Sequence, residues 1–165
     1  MTAMNLTIIR IKPNPTGKDR PRHGTLDPSQ LAGEWVDFRN DGTQGAPLNS
    51  VVLYHRAYRN GQAHWARVTG FSGVLPIGEI VRVHAGRVRD LTVIRPEDRA
   101  GADHHIFSGE DEYVWNNREG DQPLLNYEPT NQTIDTATYD ANPPEGTVLV
   151  RQGTKLIAAA KAVNW

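Results

Sequence analysis

Two groups of residues in this sequence are of the types that perform chemistry. The first is Asp103-His104-His105 followed by Glu110-Asp111-Glu112, which contains metal-ligating side chains. A metal site needs three or four such groups converging at fixed geometry. Adjacent side chains on an extended segment point opposite ways, so His104 and His105 cannot easily chelate one ion together. The run reads as a solvated polar loop. The second group is Glu34 with Asp37, two carboxylates close enough in sequence to suggest acid/base work. On a strand this spacing sends them to opposite faces, which argues against a pair. The sequence contains no Gly-x-Ser-x-Gly, His-Glu-x-x-His, Walker loop or Gly-x-Gly-x-x-Gly. Cys is absent, which removes thiolate nucleophiles, thiolate metal sites and disulfides. The sequence therefore predicts no catalytic residue, no metal and no cofactor.

The basic residues form a different kind of candidate. Arg10, Lys12, Lys18, Arg20 and Arg22 lie near the start, and Arg82, Arg87, Arg89, Arg95 and Arg99 lie mid-chain. If the two stretches met, they would form a positive stripe able to meet a phosphate backbone or an acidic protein surface. Asp19, Asp90, Glu97 and Asp98 are interleaved with them and would neutralise much of it. The 18 Lys and Arg stand against 19 Asp and Glu, a net charge of −1. Nucleic acid is accordingly the less favoured partner. Arg20, Arg22, Arg87 and Arg89 remain candidate contact residues.

Four Trp residues complete the inventory. Trp35 and Trp115 read as core. Trp165, the last residue, gains little unless it docks on this domain or on a neighbour, so it too is a candidate contact. Tyr127 joins it, because exposed aromatics such as Trp65, Tyr54 and Tyr127 would suit a glycan.

These residues must be positioned by short strands. The chain has 165 residues, of which 38% are hydrophobic and 22% charged, and Gly and Pro number 15 and 11. That fits one domain over 1–165 with many turns. Segments 6–11, 34–39, 51–55, 64–68, 79–84, 91–94, 112–115, 136–139, 146–150 and 155–158 read as strands. Asn60-Gly61 is a hairpin signal, and Gln152-Gly153 is read as a second turn. The Ala-rich end, 155–163, is compatible with strand or helix; strand is preferred for its first half. Segments 13–33, 96–112 and 118–134 read as loops, of which 13–33 and 118–134 are the long ones. The prediction is an all-β sandwich or barrel of about nine or ten short strands with two long loops. No run of about 18 apolar residues occurs, so no membrane insertion is predicted. The N-terminal apolar run is broken by Arg10 and Lys12, which leaves the cytoplasm as the default location.

The order of four pieces resembles the lamin tail domain family. They are Ile9-Arg10-Ile11-Lys12-Pro13-Asn14-Pro15-Thr16-Gly17-Lys18-Asp19, Glu34-Trp35-Val36-Asp37-Phe38-Arg39-Asn40 and Leu75-Pro76-Ile77-Gly78-Glu79-Ile80-Val81-Arg82-Val83-His84. The last is Val114-Trp115-Asn116-Asn117 with Gly120-Asp121 and Asp135-Thr136-Ala137-Thr138-Tyr139-Asp140. Two departures stand out. Val51 occupies the place of a family core Trp, a loss that another ring, Trp65, is expected to fill. Residues 122–134 stand as an insertion where the family pattern is contiguous.

The resemblance implies an immunoglobulin-like β-sandwich without an active site, working as a protein-interaction or assembly module. Its partner would be another protein or a second copy. Loop 13–33, insertion 122–134 and the C-terminal strand with Trp165 are the expected contact elements. A glycan-binding module is the alternative, and a nucleic-acid scaffold a weaker one.

Overall fold

The computed structural model describes residues 4–18, 27–87 and 91–158. Its strands form two stacked sheets and a small third one, so the chain is an all-β sandwich. The larger sheet contains β1 (Leu6–Lys12), β2 (Trp35–Asn40), β7 (Ile80–His84), β8 (His104–Phe107), β11 (Leu149–Gln152) and β12 (Lys155–Ala158), in the order β12-β11-β1-β2-β7-β8. The second contains β4 (Val51–Arg59), β5 (Gln62–Gly70), β9 (Leu124–Tyr127) and β10 (Gln132–Thr136), in the order β10-β9-β4-β5. The short β3 (Ala46–Pro47) and β6 (Val74–Leu75) pair with each other.

Alternation along the strands builds the core. Val36 and Phe38 of β2 face inward with Val81 and Val83 of β7, opposite Val51, Leu53 and Leu125 of the second sheet. In β1 the register shifts between Ile8 and Arg10. This bulge at Ile9 lets Leu6, Ile8 and Ile11 all reach the core while Arg10 and Lys12 emerge on the far face. The consecutive Ile8-Ile9 is the sequence trace of that bulge.

Only β7 and β8 are paired in parallel among the described strands, and a parallel pair needs a crossover rather than a tight turn. The crossover carries a 3₁₀ turn, Leu91–Val93, and the short helix α2 (Pro96–Arg99). The other short helix, α1 (Pro28–Ala32), is N-capped by Asp27, whose side chain accepts a hydrogen bond from Ser29 N.

Several predicted elements differ. Segment 91–94 is not a strand but the 3₁₀ turn, and 112–115 is irregular backbone. Segment 96–112, read as a loop, contains α2 and β8, and segment 13–33 contains α1. The predicted insertion 122–134 is no appendage. It supplies β9 and most of β10, Leu125 is fully buried, and β9 pairs with β4 from Val51↔Tyr127 to Tyr54↔Leu124. These strands are four and five residues long, and β10 is largely polar, so their pattern is too short to register. The terminal turn lies at Gly153-Thr154, since Gln152 pairs with Lys155. The Asn60-Gly61 hairpin is as predicted: Arg59 pairs with Gln62, and both turn residues have positive φ, 52° and 76°. The Ala-rich end is strand through Ala158, and 159–165 lies outside the described residues.

Candidate functional site

The ionisable residues gather on the outer face of the larger sheet. Register places Arg10, Asp37, Arg82 and His105 in one row across β1, β2, β7 and β8. The parallel row is Lys12, Trp35, His84 and Phe107. Asp37, fully buried, accepts from Arg82 through both oxygens at 2.7 and 2.8 Å and from Arg10 Nε at 2.9 Å. The Arg82 guanidinium also lies 3.6 Å from the centre of the Trp35 ring and donates to the carbonyls of Asp98 and Ala100. Asp98, brought in by α2, accepts from Lys12 Nζ at 2.6 Å and from Trp35 Nε1 at 2.9 Å.

The row ends in a histidine pair. His84 Nδ1 lies 2.6 Å from the Ala32 carbonyl, so that nitrogen carries the proton and donates. Its Nε2 lies 2.8 Å from His105 Nδ1, and the rings stack. Burial pushes the His84 pKa down to about 3, with His105 and Arg82 adding repulsion. Burial also lowers that of His105.

Two further carboxylates act as latches. Glu34 accepts from Lys18 Nζ at 2.7 Å and from the amides of Val114 and Trp115 at 2.6 and 3.2 Å. Burial raises its pKa, against the pull of Lys18 and those amides. Asp121 accepts from the amides of Arg56, Asn116 and Gln122, from the Asn116 side chain, and pairs with His55 Nδ1 at 2.9 Å. Glu34 and Asp37 thus serve separate networks, as alternation predicted. Among the described residues, no hydroxyl is hydrogen-bonded to His55, His84 or His105, and no three His, Asp or Glu side chains form a metal-ligating group. His104 and His105 do diverge: His104 pairs with Glu79 at 2.6 Å while His105 turns inward to His84. These charged groups hold backbone and cap a sheet face.

Of the basic residues expected to form a positive stripe, several described ones are engaged by carboxylates. Arg10, Lys12 and Arg82 are spent on Asp37 and Asp98. Arg87 is exposed and paired with Asp111 at 3.0 Å. Arg20, Arg22, Arg89 and Trp165 lie outside the described residues. Tyr127 is half-buried between Val51 and Gln132. Trp65 fills no core void, being 43% exposed; Val51 is fully buried in a cluster that also holds Leu48, Phe71 and Leu125.

What sequence reasoning missed is how far the hairpin that bears Trp65 extends. Strands β4 and β5 are nine residues each, and beyond Tyr54 no described strand except β5 pairs with β4. Among the described strands β5 is the edge of its sheet. Cross-strand pairs share a face, so Tyr54 and Arg67, Arg56 and Trp65, Tyr58 and Ala63 lie along one side. Arg56 sits over the Trp65 ring at 5.3 Å, and Tyr58 is 39% exposed. Among the described residues Arg56, Arg59 and Arg67 have no ion pair. The signal was present as a long apolar-basic alternation around Asn-Gly; its length beyond the core was not.

No known protein-family model matches this chain, and no curated protein matches it. Among the described residues no helix is long and apolar enough to cross a membrane.

Proposed function

We propose that the chain is a non-enzymatic protein-interaction module of lamin-tail-like, immunoglobulin-like character, joining a larger cytoplasmic assembly as a subunit or adaptor. The β4–β5 hairpin is its contact element. One observation carries this reading: the hairpin projects Tyr58, Trp65, Arg56 and Arg59 beyond Tyr54, the last residue that β9 pairs. Its own chain holds His55 and Arg56 through Asp121 and Asn116, and beyond them no described strand except β5 lies beside β4. Aromatic and Arg side chains are the residues that dominate contact energies at protein interfaces.

The buried charge clusters support the same reading, because each carboxylate that could serve chemistry is occupied in holding the fold. The partner surface that suits Arg56, Arg59 and Arg67 is acidic, with complementarity setting encounter rate and register. The cationic edge of β5 guards against indiscriminate strand pairing and admits an acidic strand or a matching protein face.

The test compares wild type with Arg56→Ala/Trp65→Ala. Light scattering of the pure chain, and of complexes isolated from its native host, should show an assembly that the double variant loses with its melting temperature unchanged. A strict monomer without partner, or an assembly indifferent to the double variant, overturns the proposal.

A further inference from the structure

A cavity of about 840 Å³ opens at one end of the sandwich. It lies where the start of β1, the segment 40–50 and the β9–β10 hairpin meet. Its size is within the range of small-ligand sites, roughly 300–1,000 Å³. Fifteen described residues line it, and none of them is Asp, Glu, Lys, Arg or His. This is unusual in a chain where 22% of residues are charged, and it defines what the cavity can hold. A phosphate or carboxylate would find no cation, and an amine no anion.

The lining is nevertheless polar. Asn40 is scaffolding: its Nδ2 donates to the carbonyls of Gln44 and Leu75, both at 2.9 Å, and its Oδ1 accepts from Gly42 N. Ser50, Tyr127 and, at the exposed rim, the side chains of Thr43, Gln44 and Gln132 are different. They line the cavity without a side-chain hydrogen bond to any described residue. Amides and hydroxyls each donate and accept, which matches the donor–acceptor character of sugar hydroxyls. Half-buried Tyr127 adds a flat ring for the C–H face of a pyranose. A lipid would strand these polar groups without partners.

We infer that this cavity is a binding site for a neutral saccharide of two or three rings, held by the Gln44, Gln132, Thr43 and Ser50 side chains with Tyr127 as the ring platform. The site is separate from the β4–β5 hairpin and does not depend on the interaction proposed for it.

Calorimetric titration and saturation-transfer NMR with cellotriose, maltotriose and chitotriose test the inference, with trigalacturonate and triglycine amide alongside. At least one neutral trisaccharide should bind saturably. Gln44→Ala and Tyr127→Ala should each weaken it by roughly tenfold, the loss of one or two contacts, while Trp65→Ala binds as wild type. Gln44 is exposed, so its variant keeps the test valid if Tyr127→Ala fails to fold. The inference is overturned if no neutral trisaccharide binds at about 10 mM, a concentration that captures even weak sites. It is equally overturned if only trigalacturonate or triglycine amide binds, or if Gln44→Ala leaves affinity unchanged.

Discussion

Asp37 shows how one residue organises a face of the sheet. It is a buried anion flanked by two guanidiniums, and breaking such a group by removing one partner leaves an uncompensated charge. Asp37→Ala should therefore cost about 3–5 kcal/mol in denaturant unfolding, whereas Arg10→Ala, whose side chain is partly solvated, should cost less. His84 gives a pH signature. Its folded pKa lies near 3, below the ordinary 6.5, so the unfolded chain binds more protons between those values. Stability should be full at and above pH 7 and fall on acidification through that window. From pH 7 to pH 5 the loss should be about 2 kcal/mol, read as a drop in melting temperature. His84→Gln should be less stable at pH 7 but flatter across the same range.

At the scale of elements, the parallel β7–β8 pair and the irregular segment 113–122 decide what is covered. The crossover brings Asp98 onto Lys12 and Trp35, sealing the outer face. The segment 113–122 is pinned by Glu34 and Asp121 and by Gly120, where the chain touches itself. Gly120 has φ of 75°, and a Cβ there would lie 2.4 Å from the Tyr139 carbonyl oxygen. Gly120→Ala should cost at least about 2 kcal/mol, from left-handed strain plus that clash, measured by thermal unfolding. The β4–β5 hairpin behaves oppositely: Arg56→Ala/Trp65→Ala should change stability by less than about 1 kcal/mol, as exposed sites do.

Much of this was legible in the residues. The alternation at 34–39 and 79–84 set the core, and Asn60-Gly61 set the hairpin. The loop reading of 118–134 fails because β9 becomes a strand by pairing with β4, and β10 by pairing with β9, and local pattern does not encode that long-range contact. The arginines were legible as a cluster but not as buried, since Arg10 and Arg82 reach Asp37 only after three strands align. An aromatic such as Trp65 is a plausible fill for a core position that lacks its expected ring. Pairing with Arg56 beyond the end of β9 sends it outward instead.

For the whole molecule, near-zero net charge hides a division of labour. Positive charge on the large sheet is neutralised internally, while that on the hairpin is left for solvent. The central claim is that contact occurs at this hairpin and not over the buried charge layer. Amide hydrogen exchange of the assembled against the free chain measures it directly. New protection should be confined to residues 54–67 and strongest along β5, the edge strand of the described sheet. Protection appearing instead over 96–103, with 54–67 exchanging as in the free chain, would contradict it.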